Sequence, residues 1–158
     1  MKLVAKSLAV VSALFLLAAC EAGSGAGGAG GQGSGPATPG TQEDLTQNVG
    51  DRVFFDTDSS TLNDEGQTTL QRQAEWLKQY SNINVTVEGH ADERGTREYN
   101  IALGERRAAV TKRFLVSQGI AANRVSTISY GKERPAVVGS DESAWSQNRR
   151  AVSVVSNQ

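Results

Sequence analysis

The chain has 158 residues, with 16 Lys+Arg and 17 Asp+Glu for a formal net charge of −1, which allows one domain plus tails and leaves no basic excess for nucleic acid. Its hydrophobic fraction of 38% is low for a globular chain, so part of the sequence does not contribute to a core. The single cysteine, Cys20, excludes an intramolecular disulfide and a Cys-based zinc site.

Residues 1–19 read as a secretion signal. Lys2 and Lys6 form its positive start, and an apolar run from Leu8 to Ala19 is broken only by Ser12. That run falls short of the roughly 20 apolar residues a membrane-spanning helix needs. It ends in Leu17-Ala18-Ala19-Cys20, small residues before a cut with a cysteine directly after it. Without the leader the chain carries 14 basic and 17 acidic residues, a net −3. Residues 20–44 read as a tether, because nine of the 17 glycines fall between Gly23 and Gly40. Such a segment cannot bury enough apolar surface to offset its ordering entropy. As a flexible coil of about 25 residues it spans roughly 28 Å root-mean-square.

Residues 45–158 read as one compact domain. Val53-Phe54-Phe55 is a short strand. Asn63 caps a helix in which Leu70, Ala74 and Leu77 recur at helical spacing up to Tyr80. Trp76 and Tyr80 on it are either core or an exposed partner surface. Ile83, Val85 and Val87 alternate with polar residues, as in a strand with one buried face. A second helix runs from about Arg97 to Gln118 and stops at Gly119, with a stripe of Leu103, Val110 and Phe114. Val125–Tyr130 is a third strand, a short helix follows near Glu142–Gln147, and Ala151–Val155 is the last strand. The predicted fold is an α/β sandwich, β-α-β-α-β plus a final strand. Its two main helices pack on one face of a mixed four-stranded sheet.

The chemistry concentrates in Val87-Glu88-Gly89-His90-Ala91-Asp92-Glu93-Arg94-Gly95-Thr96-Arg97, which leaves a strand, crosses a glycine-punctuated loop and enters the second helix. Leu103, Arg107, Val110 and Phe114 are spaced 4, 3 and 4 apart, so Arg107 lies in the apolar stripe. A buried guanidinium needs a partner, and Asp92 is the best candidate because its loop feeds this helix. Two readings stay open: an internal Asp92–Arg107 ion pair, or a clamp in which Asp92 takes an ammonium and Arg107 a carboxylate. His90, the only histidine, lacks partners for a metal or base role and is expected to hold the loop by hydrogen bonds. Asp56 and Asp58 suggest a calcium loop only faintly, since the ladder of acidic ligands stops there. Turn geometry accounts for Gly89 and Gly95.

The 87–97 stretch, the following Tyr99-Asn100-Ile101-Ala102-Leu103-Gly104-Glu105-Arg106-Arg107-Ala108, Val53–Ser59, Ser129–Val137 and Asn148–Val152 together resemble the OmpA-like family. Within that family they resemble its peptidoglycan-associated lipoproteins, and Leu17–Cys20 resembles the bacterial lipobox. The resemblance implies acylation of Cys20 and anchorage in the outer membrane, with the domain in the periplasm. Glu21 weighs against the outer-membrane assignment, because an acidic residue there favours inner-membrane retention in some bacteria. The implied ligand is the meso-diaminopimelate of the peptidoglycan stem peptide, with its ammonium on Asp92 and its carboxylate on Arg107. Asn100 and Leu103 line the pocket, Asp56 and Asp58 border it, and Arg149 either adds a polar contact or is structural. Partnership with the Tol system's periplasmic propeller protein and a part in cell division are likewise implied. No cofactor is.

The expected function is therefore a non-catalytic tether between outer membrane and cell wall. A wall hydrolase using paired carboxylates among Asp56, Asp58, Asp92 and Glu93 is the alternative. The arginine beside Asp92 opposes it, by keeping that acid ionised. A motor-stator or porin-linked domain ranks below both, because the sequence offers neither a membrane-spanning helix nor enough strands for a barrel.

Overall fold

The computed structural model describes residues 37–156; the leader, Cys20 and the tether up to residue 36 lie outside them. The elements in chain order are α1 (Gln42–Asp44), a wider helical turn at Leu45–Val49, β1 (Arg52–Phe54), α2 (Asp64–Gln79), β2 (Asn84–His90), α3 (Arg97–Ser117), β3 (Val125–Gly131), α4 (Glu142–Asn148) and β4 (Arg150–Ser156). The sheet order is β1-β4-β2-β3. β4 lies antiparallel between β1 and β2, and β2 pairs parallel with β3. The predicted β-α-β-α-β plus final strand is this fold.

Inward side chains of all four strands meet α2 and α3 on one face. Val53, Val85, Val87, Val125 and Ala151 form one cluster with Leu70, Ala74 and Leu77 of α2 and Ala108 and Leu115 of α3. Leu70, Leu77 and Leu115 are almost fully buried, each contributing about 1.5–3 kcal/mol. α2 starts where expected, with Asn63 Oδ1 accepting from the Gly66 N–H at 2.8 Å. The stripe of α3 is displaced from its predicted position. Its innermost residues are Leu103, Gly104, Arg107, Ala108, Thr111 and Leu115, while Val110 and Phe114 are only partly buried at the edge of the core. Small residues mark the contact face because α3 lies close on β2. A Cβ on Gly89 would overlap the Gly104 backbone carbonyl, so close approach and not turn geometry requires Gly89.

Residues before the predicted boundary at 45 pack on the domain as well. Asp44 is buried, accepting from the Trp76 indole N–H at 2.8 Å and from the Gly40 N–H at 2.9 Å. Trp76 in turn packs on Tyr80 at a ring separation of 5.1 Å. Trp76 thus belongs to the core, roofed by the segment that composition assigns to the tether. With Asn48 Nδ2 donating at 2.8 Å, three polar groups hold Asp44 in place of apolar contacts upstream of it.

Candidate functional site

β2 loses register against β3 between Gly89 and His90, and the Ala91 N–H then bonds to the Gly131 carbonyl at 2.8 Å. This bulge turns the chain into the loop that carries Asp92. Gly95 adopts φ 86°, and Thr96 caps α3 by accepting from the Tyr99 N–H at 3.2 Å. Asn100 is buried and ties loop to helix, its amide donating to the carbonyls of Arg94 at 2.8 Å and Thr96 at 3.0 Å. Against this loop opens a cavity of about 230 Å³, lined by Asp58, Asp92, Arg94, Tyr99, Asn100 and Leu103 among others. A wider apolar depression of about 530 Å³ lies between α3 and β3, near Val116 and Thr127. No carboxylate converges on it, so the loop cavity is the site with chemistry.

Asp92 is gripped by a neighbour. Arg94 donates to it through Nε at 3.1 Å, Nη2 at 2.6 Å and its backbone N–H at 3.1 Å. Arg149 Nη1 stands 3.5 Å from the same carboxylate. Burial pushes the Asp92 carboxyl up, but the Arg94 hydrogen bonds and the Arg94 and Arg149 charges outweigh it, leaving the group below the ordinary carboxylate value. Arg107 is wholly buried and forms no ion pair among the described residues. It donates to three backbone carbonyls: Ser59 at 2.8 Å, His90 at 2.8 Å and Asp56 at 3.1 Å. Burial pulls its pKa down to about 10, opposed by the nearby Asp92 charge. Arg107 therefore staples the β1–α2 loop to the end of β2.

The OmpA family model matches residues 54–149. A peptidoglycan-associated lipoprotein of Agrobacterium fabrum is 63% identical over 130 residues, covering 82% of this chain and 73% of that protein. The crystal structure of the peptidoglycan-associated lipoprotein from Burkholderia pseudomallei matches with a TM-score of 0.65 at 42% identity, covering 67% of this chain and 90% of that one. The chain belongs to the OmpA family, among its peptidoglycan-associated lipoproteins. The C-terminal domain of Helicobacter pylori MotB, at 21% identity and a TM-score of 0.63 over 68% of this chain and 85% of that one, shares the OmpA-like fold.

Of the residues that the resemblance to this lipoprotein family singles out, Asp92, Asn100, Leu103 and Asp58 line the cavity. Asp58 adopts φ 55° and accepts a hydrogen bond from the Tyr99 hydroxyl. Asp56 contributes its carbonyl to Arg107, and its carboxylate is not part of the lining. Arg149 is likewise behind the cavity, where it clips the Phe55 carbonyl at 3.0 Å and Glu142 at 2.5 Å. The direct Asp92–Arg107 pair is corrected: Arg94 takes the carboxylate, and carbonyl dipoles satisfy Arg107. His90 is corrected too. Its ring makes no well-aligned hydrogen bond and packs against Tyr130 at a centroid distance of 5.6 Å. Burial, and then the charges of Arg150 and Arg134, lower its pKa to about 4, so it stays neutral.

Sequence reasoning passed over Arg94 and Trp145. Arg94 belongs to the 87–97 loop, and an arginine two residues from an aspartate is a legible signal. Trp145 is not: it reaches the site from α4, 4.2 Å from the Arg94 guanidinium, with its indole N–H on Glu93 at 3.1 Å.

Proposed function

We propose that this protein is a lipid-anchored outer-membrane lipoprotein whose domain holds peptidoglycan without covalent bonds. The ligand is the meso-diaminopimelate centre of the stem peptide. The observation that carries the reading is Asp92: an ionised, nearly enclosed carboxylate on the wall of a solvent-open cavity, which suits a ligand ammonium. Arg107, beneath the cavity, supplies positive potential toward a ligand carboxylate. Asn100 and Leu103 shape the wall, and Asp58 borders the mouth. Cys20 carries the acyl anchor, and the glycine-rich segment bridges membrane and wall. Family membership supports the further reading of work with the Tol system, through its periplasmic propeller protein, in envelope integrity and cell division.

The binding is read as non-catalytic. A hydrolase would need a carboxyl able to donate a proton, and two guanidinium groups keep Asp92 ionised. The test is retention of the full-length chain, in detergent, on isolated diaminopimelate-type wall against lysine-type wall. Wild type is retained on the first alone, and Asp92→Ala on neither. Equal retention of both proteins, or release of soluble wall fragments, refutes the reading.

A further inference from the structure

We propose that Arg94 is a built-in stand-in for the ligand's ammonium, so that the site binds by exchanging its own cation for an external one. This rests on the reading of Asp92 as the amine acceptor. The guanidinium fork spans both carboxylate oxygens, Nε on Oδ1 at 3.1 Å and Nη2 on Oδ2 at 2.6 Å. An arriving amine therefore finds both oxygens already taken.

The two partners differ in how firmly they are held. The Asp92 side chain is 9% exposed and that of Arg94 is 39% exposed, so the cation is the removable member. Besides Asp92, the Arg94 guanidinium donates to the Thr57 hydroxyl at 3.3 Å and faces the Trp145 ring. Once displaced, it keeps the indole face and the attraction of Glu142 and Glu93. Arg149, 3.5 Å from Asp92 and buried, stays behind and keeps the carboxylate ionised for the newcomer. The pair thus holds the loop in its binding shape when no ligand is present. It also lowers the apparent affinity, and it favours ligands that bring further contacts along with their amine.

The test uses the full-length chain in detergent and the soluble tripeptide L-Ala-γ-D-Glu-meso-diaminopimelate as probe, with binding followed by calorimetry. Arg94→Ala is expected to bind about fivefold more tightly than wild type, the scale on which a half-exposed ion pair competes. Arg94→Lys, which keeps the charge without the fork, falls between the two. In wild type, the Arg94 Nε–H NMR signal loses its protection from exchange as ligand is added. Arg94→Ala binding no more tightly than wild type, or an Arg94 signal unmoved at saturation, overturns the exchange while leaving Asp92 as acceptor. Asp92→Ala binding like wild type removes both ideas.

Discussion

Arg107 and Arg94 both act on Asp92, and the fold holds them in opposite ways. Arg107 forms a floor beneath the cavity lining, without exposure, and gives its hydrogen bonds to the carbonyls of two separate segments. Arg94 is in the rim, 39% exposed along its side chain, and pairs with a residue two positions away. A floor charge is bound to the backbone and cannot leave without unravelling a loop. A rim charge is bound to a side chain and can be exchanged. Geometry and selectivity are thus divided: the floor fixes where Asp92 stands, and the rim decides what reaches it.

Removing the floor charge has the largest expected effect. Arg107→Ala leaves three carbonyls without their donor and is expected to destabilise the domain by about 3–5 kcal/mol, read by denaturant unfolding. Wall binding is lost with it. A cost below about 1 kcal/mol would show that water replaces the guanidinium, and the floor would then be no firmer than the rim. A smaller effect tests the same floor through its backbone. Gly89→Ala forces β2 and α3 apart at the Gly104 carbonyl, at a cost of about 1–3 kcal/mol for overpacking. Gly95→Ala, at the rim, carries strain from φ 86° but meets no backbone, so its effect is the smaller of the two.

The same division explains what the sequence made readable. The floor was legible as elements, because Val85, Val87, Leu70 and Leu77 repeat with the period of the structure they form. The α3 stripe was misplaced because Gly104, Ala108 and Thr111, which form its contact face, carry little hydrophobic signal. The partner of Arg107 was misread for a related reason: a charge logic looks for a carboxylate, whereas three main-chain carbonyls leave no trace in side-chain identity. Asp92, Asn100 and Leu103 were legible through long matching motifs. Trp145, 51 residues beyond Arg94 in the chain, meets it only because β4 runs between β1 and β2 and brings α4 to the loop.

The smallest expected effect belongs to the rim itself. Trp145→Ala removes an aromatic face from Arg94 and an indole donor from Glu93, both at half-exposed positions. Contacts of that kind move stability little, so thermal unfolding should shift by no more than about 3 °C. The loop should nevertheless change: without the indole, the displaced guanidinium keeps only the attraction of Glu142 and Glu93, and tripeptide binding weakens although no ligand contact is removed. Doubling the change with Arg94→Ala should erase that weakening, since no guanidinium then needs a resting place. If Trp145→Ala instead costs as much stability as Arg107→Ala, α4 is part of the floor, and the boundary between fixed and exchangeable charge runs outside Arg94.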